Sequence, residues 1–214
     1  MDLVQYDDAF AAFQAVGEAA MRGGKPILKF NEGDWLLGQD KEEFPKNSLI
    51  AINLSDVYHG WVLWVDDRPQ ERRMVPVASG QKPESRSDLG HHDQMQWKVR
   101  TDGSKQDPWQ FTFDFEGREI EGEQRELTIT GSSFHYRKAA GKLMFEIGQQ
   151  MRANAGKVPL VSVGNYRGNT QHGLKKLPTL TLVEWRDPDT FVFQDTDIDQ
   201  PEDEAPTPAK RARF

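Results

Sequence analysis

The sequence predicts a mainly β domain with two helices, folded as an antiparallel barrel or a sandwich. Three observations lead to this prediction. Short apolar runs that alternate with polar residues recur along the chain, and turn residues separate these runs at regular intervals. Only two segments show the 3.6-residue period of an amphipathic helix. Many short strands joined by turns are typical of a closed or partly closed barrel, or of two packed sheets.

The first helix is predicted near the amino terminus, where apolar residues recur at helical spacing between positions 9 and 20. Asp7 or Asp8 can cap its start, and Gly23 ends it. After Pro26 the pattern changes to strands. These strands are predicted at 27–30, 35–37, 49–54, 60–65 and 74–77. The short polar stretch Ser55–His59 is interpreted as the loop of a hairpin.

The middle of the chain predicts a loop followed by a second hairpin. Residues Ser79–Asp93 contain too few apolar side chains for a core element, so that we expect a mobile loop. Trp109–Phe115 then alternates strictly, which places its four aromatic rings on one face of a strand. A turn at Gly117–Glu123 leads to a further strand at Arg125–Thr130.

The second helix follows this hairpin. Ser132 or Ser133 can cap it, and apolar residues between positions 140 and 151 form one continuous stripe. Two last strands are predicted at Val158–Val163 and Thr179–Trp185, with a loop rich in Gly, Asn and Lys between them at Gly164–Lys176.

Composition narrows the class of protein. The chain has 214 residues and no cysteine, which excludes disulfides, a zinc site of thiolates and a cysteine nucleophile. The amino terminus lacks the basic flank and apolar run of a signal peptide, and no run approaches the roughly 18 apolar residues of a membrane span. We therefore expect a soluble, cytoplasmic protein that does not interact with membranes.

The carboxyl-terminal segment has a composition of its own. Eight acidic and three basic residues follow position 186, so that this segment carries −5 of the net charge of −7 and the preceding residues carry −2. Its prolines and its scarcity of apolar side chains predict that it cannot offset its ordering entropy. We predict one β-rich domain over residues 1–186 and a disordered acidic tail over residues 187–214, which ends in the sequence Lys-Arg-Ala-Arg-Phe.

No motif predicts catalysis, a metal or a cofactor. His91-His92-Asp93 lacks the spacing that directs two ligands to one ion. Phosphate-loop and dinucleotide signatures are missing, and the many carboxylates form no pair with a defined separation. A two-metal nuclease, whose carboxylates would meet only in the fold, stays open as an alternative.

Basic residues instead adjoin aromatic residues at several places. Such a pattern favours binding of single-stranded nucleic acid, because rings stack on exposed bases while Lys and Arg neutralise phosphates. The aromatic rings of Trp109–Phe115 have a simpler explanation as core residues. The predicted binding residues are Trp64, Arg72, Arg73, Trp97, Lys98, Arg100, Tyr136, Arg137, Lys138, Tyr166, Arg167, Lys175 and Lys176.

The acidic segment Asp195–Phe214, with its terminal aromatic residue, resembles the tails of single-stranded-DNA-binding proteins of tailed phages and bacteria. In the body of the chain, the segments Tyr58–Gly80 and Asp107–Phe113 resemble phage replication-region proteins. The resemblance implies an OB-like body, and a tail that competes for the DNA groove or recruits replication or recombination proteins through Phe214. The basic residues just before Phe214 depart from the acidic tip of that family, and are also compatible with a localisation signal or a nucleic-acid contact.

The sequence thus predicts a non-catalytic, sequence-tolerant single-stranded-DNA-binding protein that acts in phage DNA replication or recombination inside a bacterial cytoplasm. Its state of self-association stays open. The first alternative is a β-rich structural or assembly component of a virion, whose exposed aromatic residues would be subunit contacts. The second is a metal-dependent DNA-processing enzyme.

Overall fold

The fold is mainly β, as predicted. The structure is a computed structural model that describes residues 24–100, 103–170 and 173–188, and the predicted first helix lies outside these ranges. The strands are β1 (Ile27–Asn31), β2 (Asp34–Leu37), β3 (Glu42–Glu43), β4 (Leu49–Val65), β5 (Arg68–Pro76), β6 (Lys98–Val99), β7 (Lys105–Gln106), β8 (Trp109–Glu119), β9 (Glu126–Gly131), β10 (Val158–Thr170) and β11 (Gly173–Arg186). Helix α1 spans Phe134–Gln150, and short 3₁₀ turns occupy Val77–Ser79, Arg86–Asp88 and Gln94–Gln96.

One nine-stranded sheet forms the body, in the order β11-β10-β4-β8-β9-β1-β2-β3, with β5 added beside β4. Among the described strands, β1 and β9 form the only parallel pair, and β6 and β7 form a separate small ribbon. The sheet curls into a half-barrel. The curl brings β2 to β10, where the Trp35 indole donates to the Gly164 carbonyl at 2.8 Å and the Asn165 amide donates to the Gly33 carbonyl at 2.9 Å.

Strand β4 is one strand of 17 residues, so the predicted hairpin loop at Ser55–His59 is wrong. The strand continues because it has partners on both edges: β8 along one edge, and first β10 and then β5 along the other. A register shift against β8 between Ile52 and Val57 marks the bend in the strand. The polar residues that suggested a loop lie at this bend, where the Asn53 amide donates to the Asp56 carboxylate at 2.7 Å.

The described residues of the loop predicted at Gly164–Lys176, which are 164–170 and 173–176, also belong to strands. Strands β10 and β11 extend well beyond the predicted ends, and Tyr166 pairs with Leu177 in this extension. Backbone hydrogen bonds of the ribbon compensate for the low strand propensity of the Gly, Asn and Lys residues.

Helix α1 covers the core inside the curl. It begins at the predicted cap, where the Ser133 hydroxyl accepts a hydrogen bond from the Tyr136 backbone N–H at 3.2 Å. Its buried stripe includes Ala140, Leu143 and Ile147, which pack with residues of the sheet, whereas Met151 just beyond the helix is exposed. Of the helices in the described parts of the chain, none has the length and apolar character needed to cross a membrane.

The polar segment Ser79–Asp93, which was predicted to be a mobile loop too poor in apolar residues for a core element, contributes one buried residue. Leu89 is buried against Leu63 and Trp109 in a second, smaller apolar cluster. Arg86 fastens the same segment, because its guanidinium donates to both oxygens of Asp107 at 2.7 and 2.9 Å and to the carbonyls of three neighbouring loop residues. One apolar side chain and one arginine therefore hold a segment whose composition suggested a loop without core contacts.

Candidate nucleic-acid interface

The paired strands β4, β5 and β8 present two faces of different chemistry. The register sets Val62 of β4 between Gln110 of β8 and Arg72 of β5, so that these three side chains share one face. The opposite face contains the aromatic side chains of His59, Trp61, Phe111 and Phe113, whose rings contact one another. The polar face is the one that opens into clefts.

The larger cleft on the polar face has a volume of about 900 Å³. It lies where β4, β5, β8 and β9 meet β1 and the start of α1. We call it the cationic cleft, because three cations and one acid, Asp67, line it. The residues that characterise it are Lys29, Lys41, Trp64, Arg72, Gln110 and Thr112.

A buried carboxylate holds Arg72 at the wall of this cleft. Asp114 is 6% exposed and forms an ion pair with the Arg72 guanidinium through one oxygen. Its other oxygen accepts a hydrogen bond from the Thr130 hydroxyl. Arg72 makes no other hydrogen bond within the described residues, so its remaining N–H groups are available to a ligand.

Two lysines of the cleft were not predicted from the sequence. Neither Lys29 nor Lys41 forms an ion pair with any described residue, and the Lys29 ammonium lies 5.7 Å from the centroid of the Trp64 ring. The sequence pattern that selected the other binding residues also applies to Lys29, because Lys29 adjoins the aromatic residue Phe30. Lys29 follows the buried Leu28 in β1 and therefore lies on the other face of that strand. Lys41 lies in a turn and has no aromatic neighbour.

A second cleft of about 610 Å³ adjoins the first. The two share Trp64, Asp67, Gln106 and Gln110 as lining residues. We call it the indole cleft, because Trp97 lines it together with Trp64. The Trp97 indole N–H donates to the His91 carbonyl at 2.8 Å, and the Lys98 ammonium contacts both carboxylate oxygens of Asp67 at 2.6 Å.

Five of the predicted residues line this pair of clefts: Trp64, Arg72, Trp97, Lys98 and Tyr136. Of these five, Tyr136 is buried. Arg73 lies on the opposite face of β5 from Arg72. The hydrogen bonds that its guanidinium donates to Glu71, and then those to Glu84, raise its pKa. Arg100 is exposed beside the small β6–β7 ribbon, and its Nε donates to the Gln106 side chain at 3.3 Å.

The predicted residues of the β10–β11 ribbon form a separate group that lines neither cleft. Tyr166 is 52% exposed, and Arg167 pairs in register with Lys176. The Lys176 ammonium contacts the Asp34 carboxylate at 3.0 Å, while Lys175 is exposed opposite Gly168. The sequence pattern did not distinguish this ribbon from the clefts, because both combine a ring with neighbouring cations.

Tyr136 is a core residue, which corrects its prediction as a stacking platform. Its side chain is 1% exposed, and its hydroxyl donates to the carbonyls of Phe113 at 3.0 Å and Ile129 at 3.2 Å. Burial, and secondarily the Asp114 carboxylate, raises the pKa of this hydroxyl, which keeps it protonated as a donor. A ring without exposed surface cannot stack on a base.

The first turn of α1 does not bring its cations to the cationic cleft. Ser132 and Ser133 line that cleft, whereas Arg137 and Lys138 do not. Arg137 is half-buried, and its Nε makes no hydrogen bond with a described residue, while Lys138 is exposed. The helix start therefore contributes two serines to the cleft, but neither of the two predicted cations.

In residues 24–100, 103–170 and 173–188, no group of three or more His, Asp or Glu side chains is arranged to hold a metal ion. Comparison of the chain with protein-family models, with curated proteins and with solved structures returned no match.

Proposed function

We propose that this chain is a sequence-tolerant single-stranded-DNA-binding protein, in which the strand crosses the cationic cleft of a curled, OB-like sheet. The observation that carries the proposal is the position of Trp64 beside Lys29 and Arg72 in one open cleft. A half-buried indole offers a stacking surface for a base, and the cations offer neutralisation of the neighbouring phosphates. Neither interaction depends on the identity of the base.

The charge distribution favours a single strand over a duplex. Duplex binding requires a broad basic face, whereas residues 1–186 carry a net charge of −2, and the cationic cleft is a local site where three cations face one acid. A ring such as Trp64 is useful only where bases are unpaired and accessible. We propose that the protein acts on single strands exposed during phage DNA replication or recombination in a bacterial cytoplasm.

A fluorescence titration tests the proposal, with a poly-thymidine oligonucleotide and the matching duplex measured in parallel over a range of salt concentrations. The single strand is expected to quench the tryptophan emission. Neutralisation of about three phosphates predicts that the logarithm of the affinity falls with the logarithm of salt concentration with a slope of about −2. Equal affinity for the duplex, or an affinity independent of salt, would contradict the proposal.

Neighbouring arginines on β5 provide a matched pair of variants. Arg72→Gln is expected to weaken binding of the single strand by about three- to ten-fold and to make the salt slope shallower by about 0.7, because one phosphate contact is lost. Glutamine retains an N–H donor for Asp114. Arg73→Gln is expected to change the affinity by less than about two-fold, because Arg73 lies on the other face and contacts Glu71 and Glu84.

Anisotropy of a labelled oligonucleotide gives the affinity of both variants, and circular dichroism verifies that each is folded. Similar losses in Arg72→Gln and Arg73→Gln would mean that the strand does not follow the cationic cleft.

The acidic tail is proposed to compete with DNA for the cationic cleft. A polyanionic segment is attracted to the same unpaired cations as a phosphate backbone. Deletion of residues 189–214, which leaves β11 intact, is expected to tighten binding, most clearly at low salt where screening is weak. Unchanged or weaker binding of oligonucleotide by the shortened chain would disprove competition and leave recruitment of replication or recombination proteins through Phe214 as the proposed role of the tail.

A second candidate function is assembly into a β-rich virion structure. It is favoured by exposed apolar side chains on β11 and α1, where Leu174 is 62%, Val183 is 52% and Phe145 is 67% exposed. Within the described residues β11 pairs only with β10, which leaves one edge open to another chain. Self-association that is insensitive to salt, together with an absence of DNA binding, would favour this function over the first.

A further inference from the structure

We propose that the indole cleft is a base pocket that prefers an amino-bearing base, and that it selects cytosine over uracil. This inference rests on the proposed function and adds a base preference to a surface that otherwise tolerates any sequence. It is carried by the difference in chemistry between the two adjoining clefts.

The indole cleft has acceptors where the cationic cleft has cations. Asp66, Asp67 and Asp93 line it, and Lys98 contacts Asp67. The carboxylates of Asp66 and Asp93 have no cation partner among the described residues. One oxygen of Asp93 accepts from the Met95 backbone N–H at 2.9 Å, which leaves its other oxygen without a partner there. Such a cleft repels a phosphate but accepts hydrogen bonds from a neutral ring that carries N–H groups.

Oriented amide donors lie beside these acceptors. The Gln110 side-chain oxygen accepts from the Ser132 hydroxyl at 2.5 Å, and the Gln106 side-chain oxygen accepts from Arg100 at 3.3 Å. Both amide N–H₂ groups therefore remain available within the described part of the chain, and both residues line the cleft. Trp97 supplies a ring held by two contacts, one to the His91 carbonyl and one to Arg86, whose guanidinium lies 5.9 Å from the ring centroid.

This combination complements the edge of cytosine better than that of uracil. Cytosine presents an amino group that donates and two neighbouring acceptors, which match a free carboxylate beside an amide. Uracil presents two carbonyl oxygens on either side of one N–H, and a carboxylate that approaches this edge meets at least one of them.

Continuity with the cationic cleft makes the pocket reachable by the bound strand. Trp64 and Gln110 line both clefts, so that a strand whose phosphates contact Lys29 and Arg72 passes the mouth of the indole cleft. The base next to the one on Trp64 is the one that enters it.

The test compares oligodeoxycytidine with oligodeoxyuridine of the same length, which differ in the group at C4 and in the proton at N3. Anisotropy is measured on the full chain at mildly alkaline pH, where cytosine is unprotonated. The unchanged protein is expected to prefer oligodeoxycytidine by at least about five-fold, which corresponds to one amine-to-carboxylate hydrogen bond.

The variant to compare is Asp66→Asn with Asp93→Asn. Both substitutions suit the backbone: Asp66 has a φ of 50°, which asparagine tolerates, and asparagine caps a helical turn as well as Asp93 does. The preference is expected to disappear while binding of oligodeoxyuridine stays the same or tightens. Asp88→Asn with Glu121→Gln is the control, because it removes two charges that line neither cleft and should retain the preference.

The outcomes separate this inference from the proposed function. Equal affinity of the unchanged protein for both oligonucleotides would overturn the base preference and leave single-strand binding intact. A preference that survives in the Asp66 and Asp93 double variant would overturn its assignment to this cleft. Failure to bind either oligonucleotide would reject the proposed function and the base pocket with it.

Discussion

Replacing Trp64 with alanine is expected to weaken binding of a poly-thymidine oligonucleotide by about ten-fold or more. Stacking of one base on one aromatic ring contributes about 1–3 kcal/mol, and Trp64 is the ring that lines both clefts. The substitution also removes the surface over which the Lys29 ammonium lies. Anisotropy of a labelled oligonucleotide measures the loss without relying on tryptophan emission.

Two further variants make the result specific to Trp64. Trp64→Phe retains a ring and is expected to stay within about three-fold of the unchanged protein. Tyr166→Ala removes an exposed ring from the β10–β11 ribbon and should leave the affinity unchanged, because Tyr166 lines neither cleft. If Tyr166→Ala costs more than Trp64→Ala, the strand follows the ribbon with Arg167 and Lys175 instead of the clefts.

Replacing Tyr136 with alanine is expected to lower the free energy of unfolding by about 3–5 kcal/mol, the range for a large buried aromatic residue. The ring packs against Gly131 and Trp35, and the hydroxyl donates to the backbone carbonyls of Phe113 and Ile129. Tyr136→Phe retains the ring and should cost about 1–2 kcal/mol for the hydrogen bonds alone. Urea denaturation followed by circular dichroism measures both changes.

Phe134 is the control on the same helix. Its side chain is 66% exposed, so that Phe134→Ala should change the free energy of unfolding by less than about 0.5 kcal/mol. A Tyr136→Ala protein that keeps its stability but loses affinity for DNA would restore Tyr136 as a binding residue.

The buried hydroxyl of Tyr136 also gives stability a dependence on pH at the alkaline end. Burial, followed by the Asp114 carboxylate, raises its pKa above the ordinary value of 10.0. The unfolded chain therefore loses this proton at a lower pH than the folded chain. The contribution to stability is fully present below the unfolded pKa and declines as the pH rises above it, and Tyr136→Phe should remove this part of the decline.

Local patterns predicted the elements whose side chains alternate or repeat without interruption. Trp109–Phe115 alternates strictly, and its predicted faces match β8, with Gln110 and Thr112 on the face of the cleft. The cap at Ser133 and the stripe that begins at Ala140 likewise identified α1. In β8 and α1 the local preference for strand or helix agrees with the pattern of buried side chains, so that the sequence alone is sufficient to predict both elements.

Other features depend on partners distant in sequence. The polar residues near Ser55 continue a strand only because β8, β10 and β5 pair with both edges of β4. Trp64, Arg72, Trp97 and Lys98 of the clefts were found by their basic and aromatic neighbours, but the same pattern selected Tyr136, which is buried beneath the larger cleft. Tyr136 precedes Ala140 and Leu143 at helical spacing, and this relation identifies it as part of the buried stripe.

The pairing of β1 with β9 has a consequence for the speed of folding. Strand β1 is the first described strand. It pairs with β2 on one edge, but on its other edge it pairs with β9, which lies beyond the middle of the chain. The first part of β4 likewise pairs with the distant strand β10. Closing such long loops is entropically costly before any contact compensates for it. We therefore expect slow folding, in the range of about milliseconds to seconds. During synthesis on the ribosome, β1 must wait until β9 has emerged, and its unpaired edge is open to aggregation in that interval.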